Sequence, residues 1–231
     1  MTDNLPIHSP TQSQNNPHSV FIIRTGVANL ASVLSAFRRL GTHPIVTDDP
    51  RVVESAEAVV LPGVGAFSAG MESLRARGLD KAVIHRVERG LPLLAVCLGL
   101  QLLLESSEEG PGVSGLGVIP GHAARFNPET GVRIPQLGWN RVSPGPSCAL
   151  LREGYAYYAN SYCLKESPTG FATATTYHGE SFVGAVEKGP LLACQFHPEL
   201  SGAWGLDLLG RWLRSAISTT DIQPTAGQVS C

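Results

Sequence analysis

The sequence has little excess of charge of either sign. Its 231 residues include 17 Lys and Arg against 19 Asp and Glu, so the formal net charge is −2. A nucleic-acid-binding surface needs concentrated basic residues to neutralise phosphates, so this balance argues against a nucleic-acid partner. The chain is 43% hydrophobic and 16% charged, which is enough apolar content for a core and excludes a mainly disordered chain.

Long apolar runs are also missing. The longest, at residues 91–100, is interrupted by Pro92 and Gly99. A helix that crosses a bilayer needs about 20 apolar residues, so the sequence excludes a membrane protein.

Paired cysteines and targeting signals are absent as well. The cysteines contain no CxxC pair, and their odd number precludes complete pairing within one chain. Residues 1–19 contain neither Lys nor Arg and no apolar block, unlike a secretory or mitochondrial signal. These features predict a cytoplasmic protein with free thiols. The histidines show no metal-ligand spacing, and neither a metal nor another cofactor is expected. The cysteines are Cys97, Cys148, Cys163, Cys194 and Cys231.

The pattern of the chain predicts one α/β domain at residues 20–217, between disordered tails at 1–19 and 218–231. Strand and helix patterns alternate in the first half, which predicts a mostly parallel central sheet flanked by helices. Short β-rich pieces at 113–196 predict an additional antiparallel portion, and a helix at 204–217 closes the domain. The predicted strands of the first half are 20–24, 43–47, 57–61 and 93–96, and its helices are 30–40, 68–77, 79–89 and 99–104.

Cys97 stands between a buried strand pattern and a predicted helix, with Ala95 two residues before it and Gly99 two residues after it. Small residues at these positions permit the sharp strand-to-helix turn that presents a nucleophile. The start of the following helix favours a thiolate. The same residue is also consistent with a small buried hydrophobe, and the spacing alone leaves both interpretations open.

His197 and Glu199 follow a second apolar strand, at residues 191–194. Alternation places both side chains on the same side if the extended backbone continues, and Pro198 cannot extend a helix. A carboxylate two residues away can hold one imidazole nitrogen while the other faces a thiol. Taken alone, this tripeptide also fits a solvated loop.

A turn with two glycines, Gly63 and Gly65, follows the third predicted strand. Glycine permits backbone conformations that direct amides at an oxyanion. No GK[ST] follows and no GxGxxG is present, so a phosphate-binding loop is excluded.

Together these motifs resemble the class I glutamine amidotransferases, through CLGLQ at 97–101 and FHPE at 196–199. Within this class the chain is similar to the family of glutaminase subunits of imidazole glycerol phosphate synthase. The resemblance runs from about residue 20 to residue 215. The segments that carry the closer similarity are GVANLASV at 26–33, PGVGAF at 62–67, GLGVIPG at 115–121, PQLGWN at 135–140, NSY at 160–162 and HPELSG at 197–202.

The resemblance implies a catalytic triad. In it, Cys97 attacks the carboxamide of L-glutamine, His197 acts as general base and then acid, and Glu199 orients His197. The amide of Leu98 and the turn at 63–65 are the implied oxyanion donors. The substrate-binding residues implied in the same way are Gly63, Val64, Gly65, Leu98, Gln101, Asn160, Ser161 and Tyr162.

The resemblance also implies a partner. Free ammonia in neutral water is mostly ammonium, which is no nucleophile, so the product needs a shielded passage to its acceptor. The family's partner is a (β/α)8-barrel cyclase, which uses ammonia to form imidazole glycerol phosphate and AICAR in histidine biosynthesis. The interface residues implied are Asn29, Trp139, Asn140 and Tyr157.

Four positions depart from the family's pattern. Arg24 stands where Asp is common, and Leu200 stands where Lys or Arg is frequent. Gln136 and Asn160 replace histidines. These departures put in question the electrostatics of the interface and the activation of the glutaminase by the partner's ligand.

Two further interpretations remain open. One is a cysteine hydrolase or peptidase without an ammonia-accepting partner, against which Gln101 and the GWN segment argue. The other is a catalytically silent binding module, against which the intact Cys97, His197 and Glu199 argue.

Overall fold

The computed structural model describes residues 18–25 and 30–220, without the side chains of residues 219 and 220. The predicted tails lie almost entirely outside these ranges, so the domain boundaries at 20 and 217 stay predictions. Asn29, an implied interface residue, also lies outside the described residues.

Strands and helices alternate in the first half of the chain, as the sequence predicts. The elements are β1 (Ser19–Ile23), α1 (Leu30–Arg39), β2 (His43–Thr47), α2 (Pro50–Ser55), β3 (Ala58–Gly63), α3 (Phe67–Ala76), α4 (Leu79–Glu88), β4 (Leu93–Cys97) and α5 (Leu98–Leu103).

The second half is mostly strand and ends in a long helix. Its elements are β5 (Ser106–Ser107), β6 (His122–Arg125), β7 (Gln136–Pro144), β8 (Gly154–Asn160), β9 (Tyr162–Leu164), β10 (Ala172–Tyr177), β11 (Ser181–Lys188), β12 (Leu191–Cys194) and α6 (Gly202–Thr220), with 3₁₀ turns at Pro128–Thr130 and Pro198–Leu200.

The central sheet confirms the predicted fold class, with the strand order β2-β1-β3-β4-β12-β11-β10-β7-β8. The strands from β2 to β12 pair in parallel, and those from β12 to β8 pair antiparallel. The sequence groups residues 191–195 with the antiparallel pieces. In the structure, β12 is antiparallel to β11 but parallel to β4, so it joins the two parts.

The central parallel strands β3, β4 and β12 are buried at every position, because helices cover both faces of the sheet there. Along β4, Leu94 and Val96 belong to the hydrophobic cluster on one face, and Leu93 and Ala95 belong to the cluster on the other. The sequence of a strand that is covered on both sides is a continuous apolar run, and β4 has this pattern. Cys97 therefore ends a strand that is held rigidly in the centre of the sheet.

The sequence pattern does not predict α2, which lies between β2 and β3. Asp49 caps this helix, and its carboxylate accepts a hydrogen bond of 2.9 Å from the backbone amide of Arg51. Pro50 occupies the first turn, where its missing N–H has no cost. An Asp-Pro pair is thus a helix-start signal that the sequence does carry. The last helix continues to Thr220, beyond its predicted end.

Candidate active site

Three parallel strands end side by side at one edge of the sheet. Gly63, the last residue of β3, lies opposite Cys97, the last residue of β4. On the other side of β4, Cys194 of β12 lies opposite Val96, so the chain from Gln195 onward continues beside Cys97. Crevices outside the carboxyl ends of parallel strands are the usual binding sites of α/β sheets.

Cys97 lies on the sharp turn that the sequence predicts. Its φ of 54° makes it the one non-glycine residue with a positive φ in the described ranges. α5 begins at the next residue, Leu98. Gly99 is required at this turn, because a Cβ there would lie 2.1 Å from the carbonyl oxygen of Leu61. The strained backbone costs about 1–3 kcal/mol and presents the sulfur at the end of the strand.

The structure brings His197 and Glu199 together with Cys97. His197 Nδ1 lies 2.9 Å from Glu199 Oε1, and the two side chains are only 7% and 5% exposed. Cys97 and His197 line one cavity, and the interaction with Cys97 is among the causes of the raised pKa of the imidazole. The three residues that the resemblance implies as nucleophile, base and orienting carboxylate therefore lie together in a largely buried site.

The charge of His197 is set by two opposing effects. Burial lowers its pKa, but the hydrogen bonds to Cys97 and Glu199 and the negative charges of those groups outweigh burial and raise the pKa to about 10. These interactions favour the protonated form of the imidazole. A base beside a thiol, itself oriented by a third group, is the arrangement that activates a cysteine nucleophile.

The backbone of the turn that carries His197 is fixed to β8. The amide of His197 donates a hydrogen bond of 2.9 Å to the carbonyl of Tyr157. Ser201 Oγ donates to the carbonyl of His197 at 2.6 Å and accepts from the amide of Tyr157 at 2.9 Å. One hydroxyl thus ties the turn of His197 to the neighbouring strand.

The other described thiols lack such a partner. Burial raises the pKa of Cys163 to about 12 and raises the pKa of Cys194 well above its ordinary value. Burial, followed by the charge of Glu187, also raises the pKa of Cys148. Among the cysteines that the structure describes, Cys97 is the one that an imidazole contacts.

A cavity of about 330 Å³ opens beside the sulfur. Its volume fits a small amino acid rather than a polypeptide segment. Gly63 lies behind the cavity wall, where a Cβ would stand 2.9 Å from Leu98 Cβ. The other implied substrate residues all line the cavity, together with Cys97 and His197: Val64, Gly65, Leu98, Gln101, Asn160, Ser161 and Tyr162.

Two residues of the site are missed by the sequence reasoning. Glu109, which the sequence analysis does not single out, lines the cavity. Its Oε2 accepts a hydrogen bond of 2.8 Å from the amide of Phe67 at the start of α3. Gln195 is fully buried, and its Nε2 lies 3.8 Å from Cys97 Sγ.

Gln101 does not have all of its amide free for a substrate. Its Nε2 donates hydrogen bonds to the carbonyl of Tyr162 at 3.1 Å and to Oε1 of Gln195 at 3.0 Å. Asn160 Nδ2 donates to the same carbonyl at 3.0 Å. The amide oxygen of Gln101 takes part in neither of its two bonds.

The implied interface residues divide between two faces of the β7–β8 hairpin. Trp139 is 57% exposed, and its ring lies edge-on to Tyr157 with centroids 6.4 Å apart. Asn140 faces the other way and donates a hydrogen bond of 2.7 Å to the carbonyl of Tyr177. The large exposed hydrophobic residues of the described ranges are Val64, Leu137, Trp139, Tyr155, Tyr177 and Leu200.

Of the four departures from the family pattern, Asn160 lines the cavity and the others lie elsewhere. Gln136 and Asn160 are direct cross-strand partners in the β7–β8 ladder, and both are buried. Leu200 follows Glu199 and is 40% exposed. Arg24 follows β1, and its backbone amide donates a hydrogen bond to the carbonyl of Thr47.

Within residues 18–25 and 30–220, no group of three or more His, Cys, Asp or Glu side chains is arranged to hold a metal ion. No helix in the same ranges is both long and apolar enough to cross a membrane.

The comparisons with known proteins agree with the resemblance. Residues 24–209 match the family described as glutamine amidotransferase class-I. The chain is 40% identical over 210 residues to imidazole glycerol phosphate synthase subunit HisH of Symbiobacterium thermophilum, covering 89% of this chain and 98% of that one. It is 42% identical over 193 residues to the HisH subunit of Methanothermobacter thermautotrophicus, covering 82% and 95%. It is 36% identical to the chloroplastic hisHF of Arabidopsis thaliana, covering 94% of this chain but 38% of that longer one.

Solved structures show the same fold. A crystal structure of glutamine amidotransferase matches with a TM-score of 0.69 at 22% identity, covering 85% of this chain and 98% of that one. The structure of PurLQS from Thermotoga maritima matches with a TM-score of 0.62 at 16% identity, covering 88% and 99%. The chain belongs to the class I glutamine amidotransferases and, within them, to the family of imidazole glycerol phosphate synthase subunits HisH.

Proposed function

We propose that the protein is the glutaminase subunit of an imidazole glycerol phosphate synthase. It hydrolyses L-glutamine to glutamate and passes the ammonia to a cyclase partner, with which it forms a lyase complex of histidine biosynthesis. The observation that carries this function is the buried contact of Cys97, His197 and Glu199 beside a cavity of about 330 Å³. The names of the relatives support the identity of the partner and of the pathway.

The reaction proceeds through a thioester. The thiolate of Cys97 attacks the side-chain carbonyl of glutamine, and the imidazolium of His197 gives its proton to the departing nitrogen, which leaves as ammonia. His197 then takes a proton from water, and the resulting hydroxide attacks the γ-glutamyl thioester. Glutamate leaves, and the proton on His197 restores the starting pair. Glu199 keeps Nδ1 of His197 occupied, so that the other ring nitrogen performs both proton transfers.

Two backbone amides stabilise the tetrahedral oxyanion in this proposal. One belongs to Leu98, and the other comes from the turn at 63–65. Gly65 has a φ of 99°, and Val64 at the tip of the turn is exposed, so a partner can contact this turn directly. Removal of one oxyanion donor costs about 10²–10³ in rate. We therefore expect weak glutaminase activity when the protein is isolated, and a higher rate when the partner orders the turn.

The cavity provides complementary groups for the amino-acid end of glutamine. Glu109 places a carboxylate in its wall, which suits the substrate's α-ammonium group. The amide oxygen of Gln101 is a second acceptor. Ser161 and Tyr162 complete the proposed binding wall with Asn160.

The partner in this proposal is a (β/α)8-barrel cyclase that docks on the exposed apolar side chains beside the cavity. Leu137 and Val64 line the cavity and are also exposed, so the apolar surface is continuous with the site where ammonia forms. Trp139 lies next along the same face of β7, and Tyr157 packs against it. Asn29 and Asn140 are kept as proposed interface residues. This chain matches only 38% of the length of the Arabidopsis protein named hisHF. That protein is therefore long enough to contain a second component in the same chain.

Glutamate release by the purified protein, with and without the cyclase, tests this function. Cys97→Ser should lower release by at least about 10³-fold, since removal of a catalytic nucleophile has effects of this size or larger. Cys148→Ser is the matched control, because this thiol lies outside the cavity and donates to the carbonyl of Thr173, which a hydroxyl can also do. Release that survives in Cys97→Ser would overturn the nucleophile assignment. Wild-type protein that releases no glutamate even with the cyclase would overturn the function.

A further inference from the structure

A buried chain of side-chain amides ends at the sulfur of Cys97. Gln195 Nε2 lies 3.8 Å from Cys97 Sγ, a suitable distance for an N–H···S hydrogen bond. Gln195 Oε1 accepts from Gln101 Nε2 at 3.0 Å, and Gln101 also donates to the carbonyl of Tyr162 at 3.1 Å. The proposed reaction assigns no step to Gln195, because the thiol, the imidazole and the carboxylate already supply nucleophile, base and orienting group.

The carbonyl of Tyr162, at the end of this series of amides, determines which group donates in each hydrogen bond. The backbone carbonyl of Tyr162 can only accept, so Gln101 must turn its NH₂ group towards it. The second N–H of that group meets Gln195, which must therefore present its amide oxygen. The NH₂ group of Gln195 is thereby left to face Cys97, and the sulfur receives a donor instead of a carbonyl oxygen.

A donor at this position favours the charged form of the sulfur. Hydrogen bonds to an ionised group stabilise that group, and they are stronger where water is excluded. Gln195 is fully buried, and Gln101 and Cys97 are nearly so. An amide does not titrate, so its contribution persists over the whole pH range in which His197 changes its charge.

We propose that Gln195 is a positioning residue that holds the thiolate of Cys97 through Nε2–H, in an orientation imposed by Tyr162 through Gln101. This inference rests on the proposed function only in taking Cys97 as the nucleophile. It gives Gln101 two tasks, since its nitrogen anchors Gln195 while its oxygen remains available to the substrate.

The test is the pH profile of alkylation of Cys97 by iodoacetamide in the full-length protein, without glutamine. Mass spectrometry of the peptide that contains Cys97 measures the rate at this thiol alone. Gln195→Met keeps the length and burial of the side chain but removes the donor. The midpoint of the profile should rise by about one pH unit, which corresponds to the loss of one hydrogen bond to a charged group.

Gln136→Met is the matched control, because Gln136 is also buried but has no hydrogen bond to Cys97. Its alkylation midpoint should equal that of the wild type. If circular dichroism shows that Gln195→Met does not fold, Gln195→Glu keeps the shape and can still accept from Gln101. A carboxylate facing the sulfur should then raise the midpoint above the wild-type value.

An unchanged midpoint in the folded Gln195 variant would overturn the inference, and so would an equal rise in Gln136→Met. The result is separable from the proposed function, because alkylation requires no turnover. A protein that shows the shift but releases no glutamate with its cyclase would refute the function and leave the role of Gln195 intact.

Discussion

Gly99 approaches the carbonyl oxygen of Leu61 so closely that a Cβ at Gly99 would lie 2.1 Å from it. The contact joins the first turn of α5 to the neighbouring strand β3. It lets the chain reverse directly after Cys97, so the sulfur stands at the end of the sheet and the amide of Leu98 stands beside it. The position of the Cys97 thiol thus depends on the absence of one methyl group two residues away.

Replacing that glycine tests this dependence. Gly99→Ala should lower the free energy of unfolding by about 2–3 kcal/mol, because the backbone carbonyl of Leu61 cannot move aside without disturbing the sheet. Urea unfolding measures the change. Gly210→Ala in α6 is the control, since its Cβ would meet the flexible end of Arg214 at 3.3 Å and Leu40 Cδ2 at an ordinary contact distance of 3.5 Å, and alanine favours a helix. Equal stability of the two variants would contradict the steric argument.

The raised pKa of His197 makes part of the stability dependent on pH. Because the pKa rises from 6.5 to about 10 on folding, the stabilisation by the protonated ring is fully present below about pH 6.5 and is lost as the pH rises through about 10. Glu199→Gln removes one cause of the shift. The difference in unfolding free energy between wild type and this variant should therefore be largest in mild acid and shrink towards pH 10.

Urea unfolding at several pH values measures that difference. Glu166→Gln is the control, because Glu166 is exposed. Its difference in unfolding free energy from the wild type should not follow the titration of His197. If the difference in unfolding free energy between wild type and Glu199→Gln is constant from mild acid to pH 10, Glu199 does not raise the pKa of the ring.

Ser201 should affect turnover without touching substrate. Ser201→Ala leaves the amide of Tyr157 without its acceptor and removes the bond to the carbonyl of His197, which should cost about 1–3 kcal/mol of stability. The looser turn should lower kcat more than it changes KM for glutamine. Steady-state kinetics with the cyclase present measures both constants. Ser218→Ala is the control, because its hydroxyl faces solvent and bonds only to the carbonyl of Arg214, so kcat should not change.

Trp139 should contribute to association with the cyclase. An exposed Trp is a typical binding hot spot, so Trp139→Ala should raise the Kd by about 10–100-fold. Isothermal titration of the two purified proteins measures it. The exposed Arg39, at the end of α1, supplies the control Arg39→Ala, whose Kd should match the wild type. An unchanged Kd for Trp139→Ala would remove this face from the proposed interface.

The sequence predicts those parts of the site that depend on local backbone geometry. The turn at Cys97 follows from Ala95 and Gly99, and the extended backbone after β12 follows from Pro198. The direction of β12 does not follow, because a strand buried at every position shows no alternation to distinguish a parallel from an antiparallel neighbour.

Long-range contacts set the limit of that prediction. Glu109 binds an amide 42 residues away, and a glutamate in a loop carries the same local pattern whether it faces solvent or a cavity. Gln195 and Cys97 are separated by 98 positions. The hydrogen bonds that connect them take their donor and acceptor directions only when three separate segments of the chain have come together. A local sequence pattern therefore cannot predict these directions.

The position of β12 has a consequence for synthesis of the chain. β4 lies between β3 and β12, so until residues 191–194 leave the ribosome, β4 has an unpaired edge and its terminal thiol has no imidazole beside it. Cys97 is made long before His197, and the last strand to be translated into the parallel layer brings His197 into place. A nascent chain therefore carries Cys97 without His197 beside it, and the proposed site can be completed only when that strand is inserted.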